Sequence, residues 1–384
     1  MNYELTENKI KLLFVGELNS SNAGQVEEDV NATLNKNSFK EIILDFAKLA
    51  YISSAGLRTI LKLKQKYGDV SITNACLEVY DVLDMTGFTN ILSVSKQIKE
   101  IDVSNATIVG EGYFSTVYRI DKDTIIKVFN RTSDENQIKR ELDQAKEAFI
   151  LGIPTAISFD IVKVKDKLGV RFEMLDCKSL KDVMFEDRKH FDEYLDEYSS
   201  LLNKINSTEC FQKSLPRTKE LYFDKLELVK PLIKEETYQK LKRMLEGIDD
   251  RNTFVHGDCH FKNILVQNKE LLLIDMDTLS LGNPIFEYVA LRATYVGFEE
   301  DCPGNNEIFL GVSKDFAYSI YQGLLERKFA NLTVETSEKI KLLMHLHMVW
   351  WTLMNQKDNV EKINRNLGLL EELTNKYDDL KVDC

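Results

Sequence analysis

Between His256 and Asp277 the chain reads HGDCHFKNILVQNKELLLIDMD. Asp258 and Asn263 stand five residues apart. An apolar run, LLLI, then leads to Asp275, with Asp277 two residues beyond. A carboxylate at the end of an apolar strand is held rigidly, which chemistry requires. Oxygen donors suit a hard cation such as Mg2+, which prefers them to the ring nitrogens of His256 and His260. Two further features lie upstream. GEGYFSTVY, residues 110–118, sets Gly110 and Gly112 between strand-like stretches. Glycines let a backbone turn tightly and bring its N–H groups close to a phosphate. A plain hairpin turn has the same appearance. TIIKVF places Lys127 inside an apolar strand. An amine there is costly unless it is paired or bound to an anion, or unless the strand is an edge strand with the lysine facing water.

The elements needed to position these residues are legible. ATIVGEGYFSTVYRIDKDTIIKVFN reads as three strands joined by turns. SDENQIKRELDQAKEAFILGIP is a charged amphipathic helix running into Gly152 and Pro154. ISFDIVKVKDKLGVRFEML supplies two more strands. From Ser179 onward the pattern is helical, except for the strand-like ILVQNKELLLIDMD. In KIKLLMHLHMVWWTLM, His345 and His347 lie two residues apart, hence on different helix faces, and the stretch reads as a core helix.

The ordered set Gly110, Gly112, Lys127, Glu141, Asp258, Asn263, Asp275 resembles that of kinase-like enzymes. The HGDxHxxN form resembles the aminoglycoside phosphotransferase and choline kinase group. This resemblance implies a bilobal protein-kinase-like fold over residues 102–384, with a small lobe to about 175 and a helical large lobe from about 176. It implies ATP and Mg2+ as cofactors and γ-phosphoryl transfer to a hydroxyl. By the same resemblance Asp258 is the catalytic base, and Asn263 and Asp275 are metal ligands. Asp277 either binds metal or braces the loop, and His256 and His260 support the loop. Gly110, Gly112, Ser115 (in the place of a third glycine) and Val117 form the phosphate loop. Lys127 contacts phosphates and pairs with Glu141, with Glu147 as the alternative. FEMLD, residues 172–176, is the hinge, where backbone groups of Glu173 and Leu175 hold adenine.

Residues 1–101 have a different rhythm, strands alternating with helices, which argues a small α/β layer. GELNSSNA (16–23) and ILDFAKLAYISSAGLRTIL (43–61) resemble the STAS domain of anti-sigma-factor antagonists. That resemblance implies a regulatory or partner-binding role and places Ser54 at the phosphoserine position. Ser53 stands where the family often has Asp. Two readings remain for this serine pair: a helix N-cap, or a phosphosite at a helix start.

The whole chain of 384 residues suits two or three domains. Its net charge is −12, of which residues 1–100 carry −2 and the rest −10. An acidic surface argues against nucleic acid as a partner. It is compatible with a cationic substrate, and DEYLDEY (192–198) is either a solvated helix face or part of such a substrate's groove. No stretch approaches a membrane span, and the N-terminal residues lack a signal-peptide pattern, so a cytoplasmic location is expected. The six cysteines form no CxxC pair. The expected class is multi-domain, α/β followed by α+β. The expected function is Mg-dependent phosphoryl transfer from ATP to a small-molecule or protein hydroxyl. The alternative is a nucleotide-binding signalling module whose STAS part switches partners through Ser54 phosphorylation.

Overall fold

In the N-terminal unit, alternation of buried and exposed residues lays Ile10, Leu12 and Phe14 of β2 (Lys9–Leu18) on one face. A computed structural model describes residues 2–111, 115–130, 135–175, 177–211 and 215–382, without the side chains of 135–137 and 141. Gly112 and Cys384 lie outside the described residues. The chain divides into two units, Met1–Asp102 and Val103–Cys384.

The first unit has a sheet in the order β1-β2-β3-β4-β5, comprising β1 (Asn2–Leu5), β2, β3 (Glu41–Ile52), β4 (Val70–Ala75) and β5 (Ser93–Lys96). Only β1 pairs antiparallel; the others run parallel. Parallel neighbours need crossovers, supplied by α1 (Ala23–Leu34), α2 (Ser54–Tyr67) and α3 (Leu77–Met85). Helix α2 starts at its serine pair. The Ser53 hydroxyl caps it, accepting from the N–H of Ala55 at 3.2 Å and of Gly56 at 3.5 Å. Ser54 occupies the first helical position and is exposed. The cap is therefore Ser53, and the Ser54 hydroxyl faces solvent. Gly56 allows α2 to approach β2: a Cβ there would stand 2.7 Å from the Leu18 carbonyl oxygen.

The second unit opens with an antiparallel sheet of β6 (Thr107–Glu111), β7 (Ser115–Arg119), β8 (Thr124–Phe129), β9 (Ser158–Val164) and β10 (Lys167–Glu173). Their order is β9-β10-β8-β7-β6, which makes β8 central. Helix α4 (Glu135–Ile150) packs Ile138 and Leu142 against Phe129 and Val170. Beyond Leu175 the chain is mainly helical, in α5 (Leu180–Glu186), α6 (Phe191–Ser207), α7 (Thr218–Val229), α8 (Glu235–Glu246), α9 (Ile285–Arg292), α10 (Phe298–Asp301), α11 (Lys314–Lys328), α12 (Val334–Asn355) and α13 (Val360–Lys376). The histidines of α12 are both bonded: His345 Nδ1 to Asn366 at 2.8 Å, and His347 Nδ1 to the Lys225 amine at 3.1 Å.

Short strands interrupt the helices. Lys178–Ser179 (β11) pairs with Ile264–Gln267 (β13), and Phe254–Val255 (β12) with Ser280–Leu281 (β15). Two-residue ladders carry no sequence periodicity, so β11, β12 and β15 were not expected. Strand β13 folds back on β14 (Glu270–Leu273) through Asn268 and Lys269, whose φ values of 50° and 70° give the twist a tight hairpin prefers. The loop before β13 and the turn after β14 carry the candidate catalytic residues.

Candidate active site

The loop from His256 to Asn263 closes on itself. The His260 N–H donates to the Asp258 carbonyl at 2.9 Å, and the Asn263 N–H to the His260 carbonyl at 2.8 Å. The Asn263 side-chain amide donates to Asp258 twice, to its carbonyl at 3.0 Å and to its Oδ2 at 3.1 Å. The five-residue spacing is what brings these two side chains together. The Ile274 N–H donates to the Asn263 carbonyl at 2.9 Å, which ties the approach to Asp275 to the same loop.

Asp275 lies at φ +66°, a left-handed conformation that costs of order 1–3 kcal/mol in a residue other than glycine. Its Oδ1 accepts from the Lys127 amine at 2.5 Å, across 148 residues of sequence. Lys127 is buried on the central strand β8, opposite Val117 and Val170, so it is no edge lysine facing water. Burial opposes ionisation of Asp275, but the charge and hydrogen bond of Lys127 outweigh it and hold the carboxyl below its usual range. Asp258 goes the other way. Burial, then the charges of Asp275 and Asp277, push it well above the usual range.

Buried side chains hold the loop from behind. Glu287 on α9, fully buried, accepts from the backbone N–H of His256 at 2.6 Å and of Gly257 at 3.2 Å. The Tyr295 hydroxyl accepts from the Phe261 N–H at 2.9 Å, and the Tyr198 hydroxyl donates to the Cys259 carbonyl. Thr278 donates to the His256 carbonyl at 2.6 Å. His256 and His260 are buried, and burial pushes them down to about 4 and about 3, so both rings are neutral at pH 7. His256 Nδ1 accepts the Asp258 N–H at 3.3 Å, and His260 Nε2 lies 3.6 Å from Asp258 Oδ1. Sequence reasoning missed Glu287, Tyr198 and Tyr295. A lone acid inside the apolar run NPIFEYVAL was the available signal for Glu287.

Gly110 lies within β6 opposite Val117, next to a register shift, and has no left-handed φ. It is a strand residue, so the reading of two turn glycines fails at this position. Ser115 begins β7, opposite Phe129. The Glu141 backbone is in α4, and its side chain lies outside the described residues. The Glu173 N–H donates to the Ile157 carbonyl at 2.9 Å, and the Glu173 carboxylate accepts from the Ile157 N–H at 2.7 Å. The Leu175 carbonyl accepts from the Cys177 N–H at 3.0 Å. None of these bonds uses the Glu173 carbonyl or the Leu175 N–H. Asp277 is exposed.

The donor set fits Mg2+. With the Asn263 NH2 committed to Asp258, its Oδ1 is the atom left to face a cation, and Asp275 supplies a carboxylate. Among the described residues no cluster of three or more His, Cys, Asp or Glu side chains forms a ready cage. Mg2+ takes one or two carboxylates and completes its shell with water and substrate phosphates.

The phosphotransferase enzyme family profile matches residues 105–322, more than half of the chain. The chain belongs to the phosphotransferase enzyme family. The STAS domain profile matches residues 2–101. That part is 34% identical over 100 residues to BtrV of Bordetella bronchiseptica, named as an anti-sigma factor antagonist. The match covers 24% of this chain and 85% of that protein. The structure of APH(2")-IIa with streptomycin and ATP is 14% identical, covering 78% of this chain and 98% of that one, with a TM-score of 0.50. ADP-bound APH(2'')-Ib is also 14% identical, covering 77% and 98%, at a TM-score of 0.48. This member of the family is therefore an enzyme of phosphoryl transfer with a kinase-like fold, preceded by a STAS domain. Among its described residues no helix is long and apolar enough to cross a membrane.

Proposed function

We propose that the enzyme transfers the γ-phosphoryl group of ATP, with Mg2+, to a hydroxyl of a small molecule, under the influence of its STAS domain. The observation that carries this is the meeting of two hydrogen-bonded pairs, Asp258 with Asn263 and Lys127 with Asp275, tied together by the Ile274 N–H on the Asn263 carbonyl. Asp258 orients the acceptor hydroxyl and takes its proton. A carboxylate whose charge is costly, as burial and two neighbouring acids make it, is a stronger base than a solvated one. Lys127 steadies the phosphates of ATP and, before they arrive, the carboxylate of Asp275. Asn263 and Asp275 would hold Mg2+, which when bound neutralises phosphate charge. The Glu173 carbonyl and Leu175 N–H would hold adenine. Catalysis then comes from positioning and charge, with little covalent work for the protein.

The STAS domain supplies regulation. Ser54 is exposed at the first turn of α2, so an added phosphate would lie at the positive end of the helix dipole. The test is incubation of the full chain with Mg2+ and γ-labelled ATP, with and without hydroxylated metabolites, beside Asp258→Asn. Label passing to a metabolite in the wild type alone supports the proposal. Tight ATP binding with equal label transfer by both proteins overturns it.

A further inference from the structure

Next to Asn263 the catalytic loop carries a fixed amine and a partly exposed aromatic ring. Lys262 directly precedes Asn263, and its amine donates to the Phe309 carbonyl at 2.7 Å. The same amine stands 5.0 Å from the centre of the Phe309 ring. That ring meets His260 edge-on at 5.5 Å, and His260 is the residue 3.6 Å from Asp258. Asp258, His260, Phe309 and Lys262 are thus linked by successive contacts, with the buried His260 ring between Asp258 and Phe309. Phe309 is 45% exposed and its neighbour Ile308 85%. Lys181, whose backbone N–H bonds to the Phe261 carbonyl at 3.2 Å, adds a second amine, balanced by Asp182 at 2.7 Å.

Several acids that would welcome a polycation have partners within the protein, while Glu193 and Glu197 on α6 are exposed. In α10, Glu299 accepts from the N–H of Gly304 and Asn306 at 2.9 and 2.8 Å. Asp301 is bound by Arg365 and Asn366, and Glu300 lies 3.8 Å from Arg365. In α6, Asp192 and Asp196 pair with Arg327 at 3.3 and 2.6 Å. On the turn that carries Phe309, Glu307 is exposed.

We infer that the acceptor is an alcohol carrying a carboxylate or phosphate beside an apolar portion, its anion bound by Lys262 and its apolar part laid on Phe309. This rests on the phosphoryl-transfer reading above. The transfer balances simply. The acceptor oxygen forms a bond to the γ-phosphorus, the bond to the ADP oxygen breaks, and the hydroxyl proton passes to Asp258.

The experiment uses the full chain with Mg2+ and ATP. Turnover with water alone, compared between wild type and Asp258→Asn, tests the underlying reading; equal turnover defeats that reading, whatever the acceptor class. The acceptor class is then tested with 3-phenyllactate, glycerol 3-phosphate and kanamycin, which distinguish carboxylate, phosphate and polycation. The wild type should phosphorylate one of the anionic alcohols with a kcat/KM at least about tenfold above kanamycin. A hydrogen bond to a charged group contributes enough for about tenfold in binding. Lys262→Glu should therefore raise the KM of that alcohol about tenfold or more, with a smaller change in kcat, and Lys262→Arg should restore most of it. Glu307→Gln should leave that KM unchanged or lower it. The inference is overturned by preference for kanamycin, by failure of both anionic alcohols, by an unmoved KM in Lys262→Glu, or by a raised KM in Glu307→Gln.

Discussion

Glu287 offers a prediction whose size follows from its surroundings. Its carboxylate is fully buried and accepts two backbone N–H groups of the catalytic loop. Burial pushes it up from 4.5 to about 7, against the lowering effect of those bonds. A carboxyl whose folded value is raised is protonated in the folded chain while already ionised in the unfolded one. Stability from this group is therefore full below about pH 4.5 and is lost as pH rises towards 7. One unit is worth about 1.4 kcal/mol, so the loss is about 3 kcal/mol. Glu287→Gln cannot ionise and should not show it. The assay is urea unfolding of wild type and Glu287→Gln from pH 5 to 8, following a probe in the second unit. The Gln variant starts lower, because its NH2 cannot accept from both loop N–H groups. The gap should narrow by about 3 kcal/mol as pH rises. Parallel profiles would show that Glu287 is not the titrating group.

Three further outcomes are expected. Ser53→Ala should cost the first unit about 1 kcal/mol through loss of the α2 cap, whereas Ser54→Ala should stay within about 0.5 kcal/mol; chemical denaturation of the 1–102 unit distinguishes them. Gly56→Ala should destabilise the same unit by about 1–3 kcal/mol, read as a lower Tm, since its Cβ would press on the Leu18 carbonyl at 2.7 Å. Lys127→Met should raise the Kd for Mg-ATP by about tenfold to a hundredfold in calorimetry, the worth of a hydrogen bond to a charged group.

Much of the site is legible in sequence because its parts are local. Asp258 and Asn263 meet because a five-residue loop folds back on itself. Asp275 follows an apolar strand that ends in a turn. What the sequence hides depends on distance or on burial. The contact between Lys127 and Asp275 spans 148 residues. Glu287 sits in an apolar helix and acts only through loop N–H groups that are remote in sequence. Gly110 looks like a turn residue but lies in a strand, because glycine alone does not say where the ladder ends. The serine pair is a helix start in either reading; only geometry shows that Ser53 is the cap and Ser54 the exposed hydroxyl. Net charge is blind to pairing in the same way. A total of −12 suits a cationic substrate, yet the count does not see that Asp192, Asp196 and Asp301 already have arginine partners.

The proposed mechanism gives the acceptor proton to Asp258. Single-turnover transfer from Mg-ATP, measured by rapid quench beside ATP binding in the same samples, tests it most directly. Asp258→Asn should bind ATP within about threefold of wild type while its transfer rate falls about 100- to 10,000-fold, the usual contribution of a positioned base. Transfer by Asp258→Asn within about tenfold of wild type, with ATP binding intact, would rule out Asp258 as the base.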